Sequence, residues 1–288
     1  MASANSAKRV ALVIGAGSIK CVASLGILKV LEREGINIDL VVGCSGGSMY
    51  ATCIALGWDA QVAEQVSRNL WTREITQQRN RKAILQVLLP KLFGFDGRFG
   101  LLDDRQIMAR LKEAFGAQTT FADTKIPLRI VTTDFLSGEQ VVVGAGNLVE
   151  VIRGSIAIPF VFKPSPVNGR LMIDGGLADP MPVDVAIKEG TDVIIALGFE
   201  SPVQRRIDSV VRFAFQVTTI MTNNLFKSNF AFHNLAHHTE IITIIPEFEE
   251  RISAFDTAKA PYLIEKGEQA MEEQLPYLQQ LLAITEKA

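Results

Sequence analysis

The stretch that decides the fold class of this chain is Leu40-Val41-Val42-Gly43-Cys44-Ser45-Gly46-Gly47. Its apolar start is typical of a short strand buried on both faces of a sheet. The glycine-rich part from Gly43 to Gly47 predicts a tight turn, and the small and apolar residues from Met49 to Leu56 predict a helix. A buried strand that leads through a tight turn into a helix indicates an α/β fold.

The same alternation continues on both sides of this stretch. Val10 to Ile14 predicts a buried strand, and Lys20 to Glu34 predicts a helix with Gly35 as its C-terminal cap. Asn168-Gly169 is a strong signal for a hairpin turn. We therefore expect an α/β fold with a mostly parallel central sheet flanked by helices on both faces. Its remaining elements are predicted as strands at Leu128 to Thr132, Glu139 to Val143, Leu171 to Ile173, Asp192 to Leu197 and Ile241 to Ile245, and as helices at Ile207 to Phe226 and from about Tyr262.

Length and composition favour one domain. A chain of 288 residues with 48% hydrophobic residues can fill a core on both faces of a sheet. The sequence contains no internal repeat, low-complexity tract or obvious linker. We predict a single domain over residues 8–288, in which a mainly helical segment around residues 59–115 forms a cap or lid.

The charge balance argues against a polyanionic partner. The chain has 29 basic and 31 acidic residues, and it shows no dense basic stripe of the kind that nucleic-acid binders use. Nucleic acid is therefore not an expected partner. The three cysteines follow no metal-ligand spacing and are odd in number, which favours a reducing compartment and no metal site. Because the sequence shows no signal peptide and no membrane-spanning run, we expect a cytoplasmic protein. Peripheral contact with a membrane surface is compatible with this expectation.

The strongest chemical signal is the pattern Gly-x-Ser-x-Gly at Gly43, Ser45 and Gly47, with Gly46 beside the serine. Between a buried strand and a helix, this pattern is the context of a nucleophile elbow, a turn so tight that glycine is needed around the serine. Ser45 is thus the candidate nucleophile. The alternative interpretation is an ordinary glycine-rich turn between a strand and a helix.

A second small-residue segment, Gly15 to Lys20, also lies between a predicted strand and a predicted helix. Free N–H groups at such a place favour an anion, so Ala16, Gly17 and Ser18 are candidates for an oxyanion hole. The alternative is a dinucleotide-binding fingerprint. That motif requires glycine at Lys20 and an acidic residue after the second strand, whereas Asp39 precedes that strand.

The nucleophile also needs a base. The three histidines, His233, His237 and His238, cluster at the end of a long helical stretch and follow no strand. Asp174 fits better, because it ends the apolar strand Leu171 to Ile173 and is followed by the two small residues Gly175 and Gly176. An aspartate has an ordinary pKa of about 3.9, and burial among apolar groups would raise it.

These segments together resemble the patatin-like phospholipase family, which carries a glycine-rich segment, Gly-x-Ser-x-Gly and Asp-Gly-Gly in this order. Arg153 to Pro159, Phe162 to Pro164 and Leu177 to Val183 are also similar to family segments on either side of the aspartate. The resemblance covers about residues 8–200 well. Ala16 and Ser18 interrupt the glycine run of the family, and Cys21 stands where the family usually has glycine.

The resemblance implies a three-layer sandwich and a dyad in which Asp174 is the only partner of Ser45, with no histidine. It implies backbone amides of residues 16–18 as the oxyanion hole, a nearby positive charge from Lys20, and no metal or cofactor. The expected substrates are acyl esters of phospholipids, lysophospholipids or related lipids. Two alternatives remain: a catalytically silent relative that binds lipid or protein, and a nucleotide-binding α/β protein.

Lipid access is predicted from Ile84 to Leu102, an apolar stretch with two cations within it and two just before it. Such a surface suits anionic lipid or the entry of an acyl chain. The alternative is a cap that packs on the core. The cations are Arg81, Lys82, Lys91 and Arg98.

Overall fold

The computed structural model describes residues 8–70, 80, 85–86, 92, 97–201, 203, 206–208, 210–236, 239–254 and 256–283. Within these residues, eight strands form one sheet in the spatial order β5-β6-β3-β2-β1-β7-β8, and β4 pairs with β3 outside this path. The strands are β1 (Val10–Ile14), β2 (Leu40–Cys44), β3 (Leu128–Asp134), β4 (Gln140–Val143), β5 (Ser165–Val167), β6 (Arg170–Asp174), β7 (Val193–Leu197) and β8 (Glu240–Ile244).

The centre of the sheet is parallel. β3, β2, β1, β7 and β8 run in one direction, whereas β4 and β6 pair with β3 in antiparallel register and β5 pairs with β6 in the same way. All five residues of β1, β2 and β7 are buried, as expected for parallel strands that are covered on both faces.

The described helices lie on both faces of the sheet. One core joins Leu12, Val41 and Ile195 to the helices of one face, and the other joins Val13, Val42 and the helices of the opposite face. The fold class predicted from the sequence is therefore confirmed. The helices are α1 (Ala23–Arg33), α2 (Gly46–Ala55), α3 (Ala60–Leu70), α4 (Asp104–Phe115), α5 (Leu148–Ser155), α6 (Val183–Lys188), α7 (Val210–Ala236) and α8 (Ala260–Ala283).

The hairpin turn predicted at Asn168-Gly169 is confirmed. Both residues have positive φ, 49° and 77°, and Val167 pairs directly with Arg170 across the turn. Two positive φ angles define a type I′ turn, whose twist matches that of the flanking strands.

The predicted helices differ from the structure in their bounds. The helix expected from Lys20 begins as a 3-10 turn at Ser18–Val22 and becomes α-helical at Ala23, because the chain must first leave the carboxyl end of β1. The helix expected from Met49 begins at Gly46, directly after Ser45. The helix expected over Ile207 to Phe226 runs from Val210 to Ala236. Helices α5 and α6 were not predicted from the sequence.

The predicted cap is described only in part. Helices α3 and α4 lie within residues 59–115, but most of the lipid-access stretch Ile84 to Leu102 lies outside the described residues. The boundaries of the single domain and the role of this cap remain predictions. Over the part of the chain that the structure describes, no helix has the length and apolar character needed to cross a bilayer.

Candidate active site

Two strand ends meet at consecutive residues of β3. Val131 pairs with Cys44 at the end of β2, and the next residue, Thr132, pairs with Asp174 at the end of β6. The residue after Cys44 is Ser45, so the sheet itself brings the predicted nucleophile beside the predicted base. The pairing joins residues 129 positions apart in the sequence.

Ser45 occupies a strained turn between β2 and α2. Its φ and ψ are 52° and −128°, values that a residue other than glycine rarely adopts. A Cβ atom at Gly43 would lie 2.6 Å from the Cα atom of Ser48, and one at Gly47 would lie 2.2 Å from the Ile14 carbonyl oxygen. The two glycines are therefore required by close backbone packing, as the elbow pattern predicts.

The side chains of Ser45 and Asp174 are in direct contact. The Oγ atom of Ser45 donates a hydrogen bond of 2.6 Å to Oδ2 of Asp174, and both residues are buried, with exposed fractions of 6% and 7%. This distance is within the range that proton transfer between a nucleophile and a base requires.

Ser155 positions the candidate nucleophile, and sequence reasoning missed this contact. Its hydroxyl accepts a hydrogen bond of 2.9 Å from the N–H group of Ser45 and donates one of 2.7 Å to the Val131 carbonyl oxygen. Ser155 is the last residue of α5 and is fully buried. The only sequence signal was its place in the family-like segment Arg153 to Pro159.

Asp174 is held at three points. Its Oδ1 atom accepts from the Gly176 N–H at 2.9 Å, its carbonyl oxygen accepts from the Thr133 hydroxyl at 2.9 Å, and its N–H donates to the Ala157 carbonyl oxygen at 3.1 Å. A Cβ atom at Gly175 would lie 2.2 Å from the Val131 carbonyl oxygen, which explains the small residue after the aspartate.

Burial raises the pKa of Asp174 to about 6, although the hydrogen bonds from Ser45 and from the Gly176 N–H act in the opposite direction. An aspartate with this pKa is ionised at neutral pH and is a much better proton acceptor than an ordinary aspartate.

The segment predicted as an oxyanion hole lies against the elbow. A Cβ atom at Gly46 would lie 2.6 to 2.9 Å from backbone atoms of Ser18, so the two backbones are in close contact. Among the described residues, the structure gives no acceptor for the N–H groups of Gly17 and Ser18. Ser18 has a φ of 52°, a conformation that glycine adopts more readily than serine.

The prediction for Ala16 is wrong. Its N–H group donates a hydrogen bond of 2.7 Å to the Pro180 carbonyl oxygen, so it has no proton left for a substrate oxygen. Ala16 instead fixes the entry of the segment, while its Cβ atom lies 2.9 Å from the position that a Cβ atom of Gly176 would occupy.

Lys20 lines the cleft, but its ammonium group is already bound. Its Nζ atom donates to the Glu200 carbonyl oxygen at 3.1 Å and to the Ser201 hydroxyl at 3.3 Å, and it lies 5.3 Å from the centre of the Phe199 ring. Burial lowers the pKa of Lys20 to about 8. The ammonium group thus joins the 3-10 turn at Ser18–Val22 to the chain after β7.

The dinucleotide-binding alternative for the glycine segment finds no support in the described geometry, and the histidine alternative for the base lies outside it. The Asp39 carboxylate accepts a hydrogen bond of 2.7 Å from the Val10 N–H and so stabilises the start of β1. His237 and His238 lie outside the described residues, and so does the side chain of His233.

Ser45 and Asp174 open into a cleft of about 700 Å³. One part of its wall is apolar and comes from residues near the carboxyl ends of β1 and β6. Another part comes from the chain around α7 and from the loop before α8 and is polar. The apolar residues include Ile19, Ile158, Pro159 and Leu177, and the polar ones include Ser201, Arg206, Arg212, Thr218, Thr219, Thr222, Asn223, Arg251 and Ser253.

Comparison with known proteins identifies the family of this chain. Residues 12–187 match the family model described as patatin-like phospholipase. An uncharacterized NTE family protein of Mycobacterium tuberculosis is 32% identical over 193 residues, which are 67% of this chain and 49% of that protein. Human patatin-like phospholipase domain-containing protein 6 is 28% identical over 191 residues, 65% of this chain and 13% of that protein.

A solved structure shares the fold. The crystal structure of VipD from Legionella pneumophila aligns with a TM-score of 0.51 and 15% identity over 97% of this chain and 67% of that chain. The chain spans about half the length of its mycobacterial relatives and a much smaller part of the human protein. Because the family model covers well over half of the chain, from β1 into α6, the chain belongs to the patatin-like phospholipase family.

Proposed function

We propose that this chain is a serine acyl hydrolase that cleaves fatty-acyl esters of phospholipids, lysophospholipids or related lipids. The observation that carries the proposal is the hydrogen bond of 2.6 Å between Ser45 Oγ and Asp174 Oδ2 at the floor of a cleft. Membership of the patatin-like phospholipase family supports lipid esters as the substrate class.

In the first step, Asp174 accepts the hydroxyl proton of Ser45 while Oγ attacks the ester carbonyl carbon. The carbonyl oxygen becomes an oxyanion in the tetrahedral intermediate. The N–H groups of Gly17 and Ser18 are suited to bind it, together with the N–H group of Gly46, which as the first residue of α2 has no acceptor within the helix.

The intermediate then collapses, and the bond between the carbonyl carbon and the alcohol oxygen breaks. Asp174 returns its proton to that oxygen, so the alcohol leaves as a neutral product and the acyl group stays on Ser45. Water next attacks the acyl-enzyme while Asp174 again accepts a proton, and the fatty acid leaves as Ser45 recovers its hydrogen. The two half-reactions need no metal or organic cofactor.

The shape of the cleft supports an acyl chain as the group next to Ser45. Ile158 and Pro159 follow Ala157, whose carbonyl oxygen binds the N–H group of Asp174, and Leu177 lies three residues after Asp174. These apolar side chains therefore line the cleft close to the reacting atoms, where an acyl chain would extend from the ester.

We also propose that the protein takes its substrate from a membrane surface. The outer face of α7 exposes five apolar residues at helical spacing, and the opposite face lines the cleft through residues such as Thr219 and Thr222. Helix α7 contains Arg212 and Lys227 and no acidic residue, a composition that suits anionic lipid. The exposed residues are Phe213, Val217, Ile220, Met221 and Phe232.

The test of the activity is hydrolysis of a short p-nitrophenyl ester and of a lysophospholipid. We expect Ser45→Ala and Asp174→Asn to abolish turnover of both esters, and Ser137→Ala, an exposed serine outside the cleft, to leave it unchanged. Absence of wild-type turnover on both esters, even with vesicles present, would favour a silent relative that binds lipid or protein.

A further inference from the structure

The cleft is positively charged although the protein is not. The whole chain has two more acidic than basic residues, whereas the described residues that line the cleft include four cations and one carboxylate. That carboxylate is Asp174, which works at the floor of the cleft. The cations are Lys20, Arg206, Arg212 and Arg251.

Two of these cations have no ionic partner in the part of the chain that the structure describes. Lys20 is bound by the chain after β7, and Arg212 forms an ion pair of 2.9 Å with Asp208. Among the described residues, no carboxylate lies within ion-pair distance of Arg206 or Arg251. Both residues are exposed, so their guanidinium groups lie at the rim of the cleft and can reach a ligand without first breaking a salt bridge.

The two arginines come from separate parts of the chain. Arg206 precedes α7 and Arg251 lies in the loop between β8 and α8, yet both line the same cleft as Ser45. Uncharged donors accompany them, namely the hydroxyl groups of Thr222 and Ser253 and the second Nδ2 hydrogen of Asn223, whose first hydrogen binds the Ser201 carbonyl oxygen at 2.8 Å. Guanidinium groups with neighbouring hydroxyl and amide donors are the side chains that bind phosphate oxygens best.

We infer that Arg206 and Arg251 form a subsite for the phosphate of a glycerophospholipid headgroup, so the cleft favours acyl esters that carry a phosphate over neutral acylglycerols. This inference rests on the proposed acyl hydrolase activity and specifies its substrate class. The acyl ester lies at Ser45, its chain lies along Ile158 and Leu177, and the phosphate lies at the polar rim.

The experiment compares two substrates with the same acyl chain, a lysophosphatidylglycerol and a monoacylglycerol, both below their critical micelle concentrations so that no lipid surface contributes. We expect Arg206→Gln/Arg251→Gln to lower kcat/KM for the phosphate-bearing substrate about tenfold or more, since each arginine makes a charge-assisted contact, and to leave the neutral substrate within about twofold. The matched control, Arg68→Gln/Arg105→Gln, removes two exposed arginines outside the cleft and should change neither value.

A second arm uses ligands without an acyl chain. We expect sn-glycerol 3-phosphate to inhibit the wild type competitively, and the double variant to lose this inhibition. Equal inhibition by inorganic phosphate would assign the site to free phosphate and overturn the headgroup subsite. An unchanged ratio of the two substrates in the double variant would overturn it as well.

Failure of the subsite and failure of the activity give different results. A protein that cleaves neither lipid nor a p-nitrophenyl ester contradicts the proposed activity. Calorimetric titration with sn-glycerol 3-phosphate still tests the subsite in such a protein, because binding needs no turnover. Equal binding by the wild type and the double variant would then reject the subsite.

Discussion

At the scale of single residues, the central proposal is that a carboxylate does the work for which many serine hydrolases use histidine. Asp174 can accept the proton of Ser45 because the fold buries it and raises its pKa to about 6. Gly176 and Ser45 donate to its two oxygens and keep it oriented toward the nucleophile. Desolvation supplies the basicity, and hydrogen bonds supply the direction.

The first prediction concerns pH. Hydrolysis needs the ionised form of Asp174, so kcat/KM for a neutral ester should fall as the pH drops through about 6, by about tenfold per pH unit below it. The measurement is a rate profile from acidic to mildly alkaline pH, with circular dichroism confirming that the protein stays folded. A rate that stays constant down to the ordinary pKa of aspartate, about 4, would be inconsistent with a buried base.

The second prediction concerns stability. The pKa of Asp174 is higher in the folded protein, about 6, than its ordinary value of 3.8, so the wild type loses stability as the pH rises through the folded value. Asp174→Asn does not titrate. Between about pH 4 and about pH 7, the unfolding free energy of the wild type should therefore fall by about 3 kcal/mol relative to that of the variant.

Denaturant unfolding at several pH values measures this difference. The buried Asp179 is present in both proteins, so its contribution to the two unfolding free energies cancels in the difference. If the difference were the same at all pH values, the carboxyl group of Asp174 would have its ordinary pKa, and the account of how it becomes a base would be wrong.

At the scale of secondary-structure elements, the site consists of three chain segments that begin or end beside it. β2 turns into α2 at Ser45, β6 ends at Asp174, and the turn at Ser18–Val22 lies against Gly46. The sequence predicted each of these strand ends, because apolar runs that end in glycine mark buried strands.

The sequence could not predict contacts between segments that lie far apart along the chain. Ala16 was expected in the oxyanion hole, yet its N–H group binds the Pro180 carbonyl oxygen, and no local pattern reveals that partner. Ser155 escaped prediction for the same reason, since it lies 110 residues from the N–H group that it binds.

The third prediction is made at this scale, for Ser155→Ala. The change leaves the N–H group of Ser45 buried without its acceptor, which should lower the unfolding free energy by about 1 to 3 kcal/mol. It should also lower kcat, with KM little changed, because the elbow loses its link to α5 and Val131. Steady-state kinetics and denaturant unfolding measure the two effects.

The matched control is Ser24→Ala. Ser24 is fully buried, and among the described residues its hydroxyl has no hydrogen-bond partner, so its removal should leave kcat unchanged and stability the same or higher. Wild-type kcat in Ser155→Ala would show that the elbow holds its geometry without this serine.

At the scale of the whole molecule, a parallel sheet explains why the site lies where it does. The carboxyl ends of parallel strands share one edge of a sheet, and the turns that follow β1 and β2 meet there. This architecture was predictable because strand and helix patterns alternate along the chain. The antiparallel addition of β4, β5 and β6, which delivers Asp174, depends on pairing with β3 and was predicted only as strands and a hairpin.

The fourth prediction concerns the long helix α7. Phe213→Ser/Met221→Ser removes apolar side chains that are 59% and 64% exposed on the face opposite the cleft. Binding to vesicles that contain anionic lipid should fall about tenfold or more, because two buried apolar contacts with the bilayer are lost. Turnover of a water-soluble ester should stay the same, because neither side chain lines the cleft.

Sedimentation with vesicles measures this binding, and the control is Val62→Ser, which replaces an exposed apolar residue on α3. Unchanged vesicle binding in the α7 variant, together with unchanged turnover of vesicle lipid, would show that this face does not dock on membranes.

The most direct test of the account is labelling by a fluorophosphonate, followed by peptide mass mapping. We expect a single label on Ser45, a labelling rate that rises with pH through about 6, and a rate at least about a hundredfold lower in Asp174→Asn. A label on another residue, or a rate in Asp174→Asn equal to that of the wild type, would contradict the assignment of Ser45 as nucleophile and Asp174 as its base.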